Sequence, residues 1–281
     1  MLRLHTPYGE ACSIEGPSWP AGEAWRPGPS ESLLRQLQLV YGIGPHTEER
    51  LRREGFSDLV ALSRHPRFGA EARKVLQALE QGDLAALRQA GARDYELLSY
   101  FDSADLAVID IETAGFRGWP VFLIGLGWQE DGSWRVRQYF ARGFEEEKAL
   151  LYLALDFLQR FSGLVSYNGR AFDEPFVAER LTYHRLERPH FLIHVDLYHE
   201  IRRLFREELP DFRLSTVAGH LLSCRRTADI PGERVPELYL RYMAEGEEES
   251  IMPVLRHNEA DMVDLCRLFD LLTTGAGRSV A

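Results

Sequence analysis

The apolar run Leu106-Ala107-Val108-Ile109 stops abruptly at Asp110-Ile111-Glu112-Thr113. The run reads as a buried strand, and residues i and i+2 of a strand share a face. Asp110 and Glu112 therefore stand side by side where solvent is scarce. Like charges so placed raise each other's pKa, and a hard divalent cation bound by carboxylate oxygen is the usual relief. The plain alternative is a strand tip running out into water, because D-x-E is short and common.

The surroundings of this run set the fold class. Strands read at about 105–111, 121–129 and 133–140, and the Asp131-Gly132 turn makes the last two antiparallel neighbours. A helix follows at about 145–161. Then come the strand GLVSY, a helix after Asp173, the strand FLIHV and the helix DLYHEIRRLF. Further helices read at 215–221, 235–244 and 249–272. A β-meander followed by alternating helices and strands is an α/β layered domain.

Residues 31–97 differ. They alternate helical patterns with short breaks: Ser30 caps SESLLRQLQLVY, Gly42-Ile43-Gly44-Pro45 breaks the chain, and a helix runs from about His46 to Glu54 before Gly55. Helices also read at 57–63, 69–80 and 83–89. Residues 1–30, rich in Pro, Gly and Trp, read as an arm with a short hairpin in LRLHTPYGEACSI, and 276–281 as a tail. The domain expectation is thus an arm at 1–30, a helical domain at 31–97, an α/β domain at 98–275 and the tail.

No apolar run approaches the ~18 residues of a membrane span, and the N-terminus lacks the apolar core of a secretory signal. The three cysteines, Cys12, Cys224 and Cys266, form no C-x-x-C pair, so neither a zinc site nor a disulfide framework is indicated. A cytoplasmic location fits. The net charge of −10 is the wrong sign for coating nucleic acid by charge alone.

Two further acids complete a pattern. In LVSYNGRAFDEPFVAERL, Asn168-Gly169 makes a turn and Asp173 starts a helix; a lone Asp there is an N-cap by default. In VLRHNEADMVDLCRLFDLL, residues Leu255, Met262, Leu265, Leu268 and Phe269 recur at core spacing. His257 and Asp261, four apart, share a face; the plain reading is a surface helix pair, and Asp261 with Asp264 is an alternative pairing. Asp196 reads as the cap of the next helix. Arg225 and Arg226 lie in a loop and read as surface arginines or phosphate contacts, and Arg202 and Arg203 as a solvated face.

Taken in order, D-x-E, N-G-x-x-F-D and H-x-x-x-D resemble the DEDD 3′–5′ exonucleases of the ribonuclease H-like fold. The stretches DIETAGF, LVSYNGRAFDEPFV, HVDLYHEIRRLF, FRLSTVAGHLL and VPELYLRYMAEGEEESIMPVLRHNEADMVDL resemble the YprB-type ribonuclease H-like family more closely. The resemblance implies a mixed sheet flanked by helices. It also implies two divalent ions, Mg²⁺ or Mn²⁺, bound by Asp110, Glu112, Asp173 and Asp261, with His257 as general base. Thr113, Asn168 and Phe172 would line the substrate cleft. Many His-containing members of the wider group place four residues between His and Asp; this chain has three.

LVYGIGPHTEERLRREGFSDLVAL resembles a helix-hairpin-helix, which makes 31–97 a small all-α helix-hairpin-helix-like domain, and PRFGAEARKVLQAL reads as a degenerate second hairpin about Gly69. Such a hairpin offers backbone N–H groups to a phosphate, here at Gly42, Ile43 and Gly44 with Arg52 and Arg53 nearby. The alternative is a protein-docking module. The resulting expectation is a 3′–5′ exonuclease, acting on DNA in preference to RNA in repair or processing, with a helicase or other repair protein as a candidate partner and no membrane. Its alternatives are an RNA-processing exonuclease and a nuclease-like module that binds nucleic acid without cleaving it.

Overall fold

The computed structural model describes residues 1–23, 27–223, 226 and 229–274. They fall into two compact units, one within Trp25–Asp102 and one formed by the residues on either side. The expected tail at 276–281, together with Cys224 and Arg225, lies outside the described residues.

The smaller unit holds α1 (Glu31–Leu34), α2 (Pro45–Arg53), α3 (Leu59–Leu62), α4 (Gly69–Gln81), α5 (Leu84–Gln89) and α6 (Asp94–Leu97). Its punctuation is local chemistry. Ser30, Asp58 and Asp83 each accept a backbone N–H three residues on and so cap α1, α3 and α5. The expected long first helix is only one α-helical turn, followed by a 3₁₀ turn at Leu37–Leu39. Leu33, Leu37, Leu39 and Val40 are all buried; Leu39 falls off the 3.6-residue period, and the 3₁₀ turn turns it inward.

The larger unit carries one sheet of seven strands among the described residues: β1 (Leu2–Thr6), β2 (Gly9–Pro20), β3 (Leu106–Thr113), β4 (Val121–Glu130), β5 (Ser133–Phe140), β6 (Gly163–Ser166) and β7 (Ile193–Asp196). Their order is β1-β2-β5-β4-β3-β6-β7. β1 to β5 pair antiparallel with their neighbours, whereas β6 runs parallel to both β3 and β7. Residues 1–20 are therefore not an arm. The hairpin's second strand, β2, pairs with β1 over Gly9–Ser13 and continues along β5 from Cys12 to Pro20, so that beyond Ser13 no described strand lies on its outer side; its register shifts between Glu15 and Ser18 around Pro17. Edge strands and bulges are where proline is tolerated, which is why a Pro-rich segment could still be a strand.

Helices α7 (Glu147–Leu158), α8 (Asp173–His184), α9 (Leu197–Leu204), α10 (Leu214–Leu221), α11 (Val235–Glu245) and α12 (Glu248–Thr273) complete the unit. Two features of this arrangement position the site. Parallel strands end at the same side of a sheet, so β3, β6 and β7 deliver Asp110, Asn168 and Asp196 to one edge, the usual place for a site in sheets of this kind. And α12 packs its apolar stripe, including Leu255, Met262, Leu265, Leu268 and Phe269, onto the sheet.

Candidate active site

β3 is buried through Ile109 and only half-buried from Asp110 onward. The strand thus carries its two acids to the point where the core opens. Asp110 sits opposite Gly125 of β4. A Cβ at Gly125 would lie 2.5 Å from Asn258 Oδ1 and 2.7 Å from Met262 Cγ, and one at Gly127 would lie 2.6 Å from Cys266 Sγ. Glycine at both positions lets α12 approach the strand. The fully buried Asn258 then donates through Nδ2 to Asp110 Oδ2 at 2.7 Å. Its own Oδ1 accepts from buried Gln138 Nε2 at 2.9 Å, and Gln138 also donates to the Leu255 carbonyl at 2.8 Å. This relay fixes which way the Asn258 amide points and so which Asp110 oxygen is held.

Asp173 is brought in by a tight turn after β6. Asn168 adopts φ 60°, a left-handed conformation that Asn tolerates better than most residues. A Cβ at Gly169 would collide with Ser166 Oγ and lie 3.0 Å from Asp173 Oδ2. Asp196 at the end of β7 accepts from the backbone N–H groups of Asn168 at 2.7 Å, Arg170 at 3.2 Å and Tyr198 at 3.1 Å. It caps α9, as expected, and also pins the turn leading to Asp173. Asp173 itself is not an N-cap: that position belongs to Phe172, and Asp173 is the first residue of α8.

The third element is α12. His257 and Asp261 lie one turn apart, with Nε2 and Oδ2 3.3 Å from each other. Donor atoms of Glu112, His257 and Asp261 all lie within 4.8 Å of one another. His257 Nδ1 is 2.6 Å from Asp229 Oδ1. A carboxylate only accepts, so Nδ1 carries the proton and Nε2 faces the acids. Arg226 donates to Asp261 Oδ1 at 2.6 Å, to Asp264 Oδ2 at 2.6 Å and to Asp229 Oδ2 at 2.9 Å. Asp264 thus serves Arg226, while Asp261 faces both the arginine and the histidine.

The cluster is short of positive charge. Burial, then Asp261, Glu112 and Asp173, push the Asp110 carboxyl well above the ordinary carboxylate range. Burial followed by Asp261, Asp173 and Asp229 does the same to Glu112. Burial and then Asp196 raise Asp173 to about 7. Burial also raises Asp261, against the opposing pull of Arg226 and His257. Asp229 is held low, because His257 and Arg226 outweigh its burial. Such displaced carboxylates in a cleft mark candidate functional sites. The donor set, carboxylate oxygens with one imidazole, suits Mg²⁺ or Mn²⁺. Among the described residues no hydrogen bond reaches the Glu112 or Asp173 carboxylate, so both remain available to a cation.

Asp110, Glu112, His257 and Asp261 thus converge, with Asp173 close enough to perturb Asp110 and Glu112. Thr113 donates to the Gly115 carbonyl at 2.8 Å and is tied into the β3–β4 loop. Phe172 is 65% exposed, and Asn168 shapes the turn. In the smaller unit, Gly42 has φ 83° and Gly44 caps α2 with open space around it. Ile43 is buried. Arg52 is engaged by Glu48 and by the carbonyls of Arg35 and Ser57, whereas Arg53 is exposed with only a 3.8 Å pair to Glu49. Sequence reasoning missed Asn258, Gln138 and Asp229. Asn258 had a signal: it occupies a core position on α12, in register with Ile251, Leu255, Met262 and Leu265.

The family model for the RNase_H superfamily matches residues 107–273. The uncharacterized protein YprB of Bacillus subtilis (strain 168) is 33% identical over 174 residues, 60% of this chain and 42% of that protein, so the match spans less than half the length of this relative. Among solved structures, the family B DNA polymerase from the hyperthermophilic archaeon Pyrobaculum calidifontis is similar with a TM-score of 0.47 and 21% identity, over 61% of this chain and 24% of that one.

Proposed function

The chain belongs to the ribonuclease H superfamily, and on that premise we propose that it is a metal-dependent 3′–5′ exonuclease of DNA. The observation that carries this reading is the convergence of Glu112, His257 and Asp261 donor atoms within 4.8 Å, beside an Asp110 held by a buried amide. Asp110, Glu112, Asp173 and Asp261 would hold two divalent ions. When bound, such ions neutralise charge on the phosphoryl oxygens and acidify water.

The protein's own residues supply the rest. Asp229 fixes the His257 tautomer and directs Nε2 at the cluster, where it takes the proton of the attacking water as general base. The Asn258–Gln138 relay holds Asp110 in one orientation. Asp196 fixes the turn that presents Asp173. The 3′–5′ polarity and the preference for DNA are carried over from the resemblance to the DEDD exonucleases. In the smaller unit, the Gly42–Gly44 hairpin and α2 N-terminus would hold a DNA backbone, with Arg53 the freer of the two arginines. Repair or processing, with a helicase or other repair protein as partner, is the setting we propose. No helix among the described residues is long and apolar enough to cross a membrane.

The test is hydrolysis of 5′-end-labelled single- and double-stranded DNA and RNA with Mg²⁺ or Mn²⁺. A ladder shortening from the 3′ end is expected, and it should vanish in Asp110→Ala and Asp261→Ala while both variants stay folded. A ladder on RNA alone would move the reading to RNA processing. Binding without hydrolysis of any substrate would make the chain a nuclease-like binding module.

A further inference from the structure

Ser166, His194 and Glu174 form a chain of hydrogen bonds that the chemistry above does not use. Ser166 Oγ lies 2.8 Å from His194 Nε2, and His194 Nδ1 lies 3.0 Å from Glu174 Oε2. A carboxylate only accepts, so Nδ1 carries the proton and Nε2 takes the serine hydroxyl. Serine, histidine and carboxylate in that order are the parts of a nucleophilic triad, but here they cannot act as one. Ser166 is fully buried, and Gly169 sits so close to it that a Cβ there would collide with its Oγ. No carbonyl can reach that hydroxyl. The open end of the chain is the carboxylate instead: the Glu174 side chain is 62% exposed and that of His194 12%.

What the chain holds is the start of α8. Asp173 is the first residue of that helix and Glu174 the second. The helix begins with little local support. Phe172 at the N-cap makes no side-chain cap hydrogen bond, and Pro175 in the first turn has no N–H to give. Glu174 N–H donates to the Gly169 carbonyl at 2.8 Å and Phe176 N–H to the Phe172 carbonyl at 3.1 Å. Those bonds close the turn on itself without tying it to the sheet. The tie comes from β7, where His194 and Asp196 are two apart and share a face. Asp196 accepts from the backbone of Asn168 and Arg170, ahead of Asp173. His194 takes Glu174, directly after it. Through Ser166 the same imidazole is anchored at the end of β6.

Asp173 therefore sits between two anchors from one strand. It needs them, because it stands close enough to Asp110 and Glu112 to repel both. A repelled carboxylate on a free turn would swing away from the acids with which it must share a cation. We propose that His194 is a positioning residue: bonded to Ser166 and Glu174, it fixes the first turn of α8 so that Asp173 faces the other acids. The proposal rests on the metal-dependent reading of the site and names a residue on which its cation affinity depends.

Calorimetry of Mn²⁺ binding tests it, with melting of the metal-free protein alongside. His194→Ala should weaken Mn²⁺ binding about tenfold, the low end of what orienting partners are worth at metal sites, since His194 reaches Asp173 through the backbone. Glu174→Ala, at an exposed position where folding is not at stake, should do the same. Glu174→Gln keeps an oxygen that accepts from Nδ1 and should stay close to the parent. Adding His194→Ala to Asp173→Asn should cost no further affinity, because the imidazole acts through Asp173 alone. Hydrogen exchange in EDTA reads the anchor without metal: the Glu174 and Phe176 amides should exchange about tenfold faster in His194→Ala, as expected for losing one hydrogen bond to a charged group. Unchanged Mn²⁺ affinity in both alanine variants would overturn the proposal, even with a lower melting temperature. So would an equal loss of affinity from His194→Ala in the parent and in Asp173→Asn. If the parent binds neither Mn²⁺ nor Mg²⁺ while those amides exchange faster in His194→Ala, the metal-dependent reading fails and the anchor stands; unchanged exchange removes the anchor.

Discussion

Replacing Gly125 with alanine tests whether α12 sets the position of Asp110. The new methyl would lie 2.5 Å from Asn258 Oδ1, 2.7 Å from Met262 Cγ and 2.9 Å from Met262 Sδ. Met262 is flexible and can give way. Asn258 cannot do so freely, because Gln138 and Asp110 hold both ends of its amide. Reaching an ordinary 3.4 Å contact needs a retreat of 3.4 − 2.5, or 0.9 Å. A retreat of that size along the Asn258–Asp110 bond takes it from 2.7 Å to about 3.6 Å, which is no longer a hydrogen bond. Overpacking costs about 1–3 kcal/mol, and losing a hydrogen bond to a charged group about 1.5–3. Melting should fall by several degrees, and the 3′-end ladder should weaken. Gly127→Ala is the matched control. Its methyl meets Cys266 Sγ at 2.6 Å, two turns along α12 from Asn258, so it should cost similar stability and much less cleavage. Full stability and activity in Gly125→Ala, or equal loss of activity in both variants, would refute the reasoning.

Replacing His257 with Ala should lower the chemical step by about 10²–10⁴-fold with little effect on binding, measured by single-turnover cleavage; Asp229→Asn should cost part of that by freeing the tautomer. A metal-free pH series of melting temperatures should report Asp173. Its folded pKa of about 7 exceeds an unfolded value near 3.9, so the stability it contributes is full below about pH 4 and lost as pH rises through 7. Asp173→Asn should therefore flatten the fall between pH 4 and 7 and be the more stable protein at pH 8; parallel curves would remove the assignment. Gly44→Val meets nothing within 4 Å at its new Cβ, so the helical unit should stay folded while affinity for long duplex DNA falls alike for all sequences. Unchanged affinity would turn that unit into a docking module.

Much of this arrangement was legible in the chain because the signals are local. The DG turn at Asp131-Gly132 fixes the β4–β5 hairpin, and period-3.6 apolar residues fix α12. Asp110 and Glu112 could be picked out because they end an apolar strand, Asp173 because it starts a helix after a turn, and Asp261 because it lies one helical turn from His257. The second half of β2 was hidden, since Pro17, Pro20 and Trp19 carry loop composition and only pairing with β5 makes this stretch a strand. Asp229 and Arg226 were hidden for another reason. They lie in a loop without periodicity, and their partners on α12 stand 28 to 38 residues away. Gln138 reaches Asn258 across 120 residues, a pairing that no spacing rule along one chain announces.

The four acids are not equally ready for a cation. Asp110 already accepts from Asn258, and Asp261 already accepts from Arg226. Glu112 and Asp173 have no such donor among the described residues, and both carboxyls stand well above the ordinary range. A divalent ion therefore gains most where nothing yet offsets the charge. A ligand that binds only the folded state at 100 times its Kd stabilises by about 2.7 kcal/mol, so Mn²⁺ or Mg²⁺ should raise the melting temperature by several degrees. Glu112→Gln and Asp173→Asn should each shrink that rise while leaving the metal-free protein as stable as the parent or more so, since each removes a repelled charge. Asp261→Asn should behave differently. It also weakens a partner of Arg226, whose side chain is only 11% exposed, and should lower metal-free stability as well as metal response. Calorimetry of Mn²⁺ binding and melting with and without EDTA separate the two patterns. If Glu112→Gln keeps the full metal-induced rise, the ion is held elsewhere, and the cluster's raised carboxyls need another explanation.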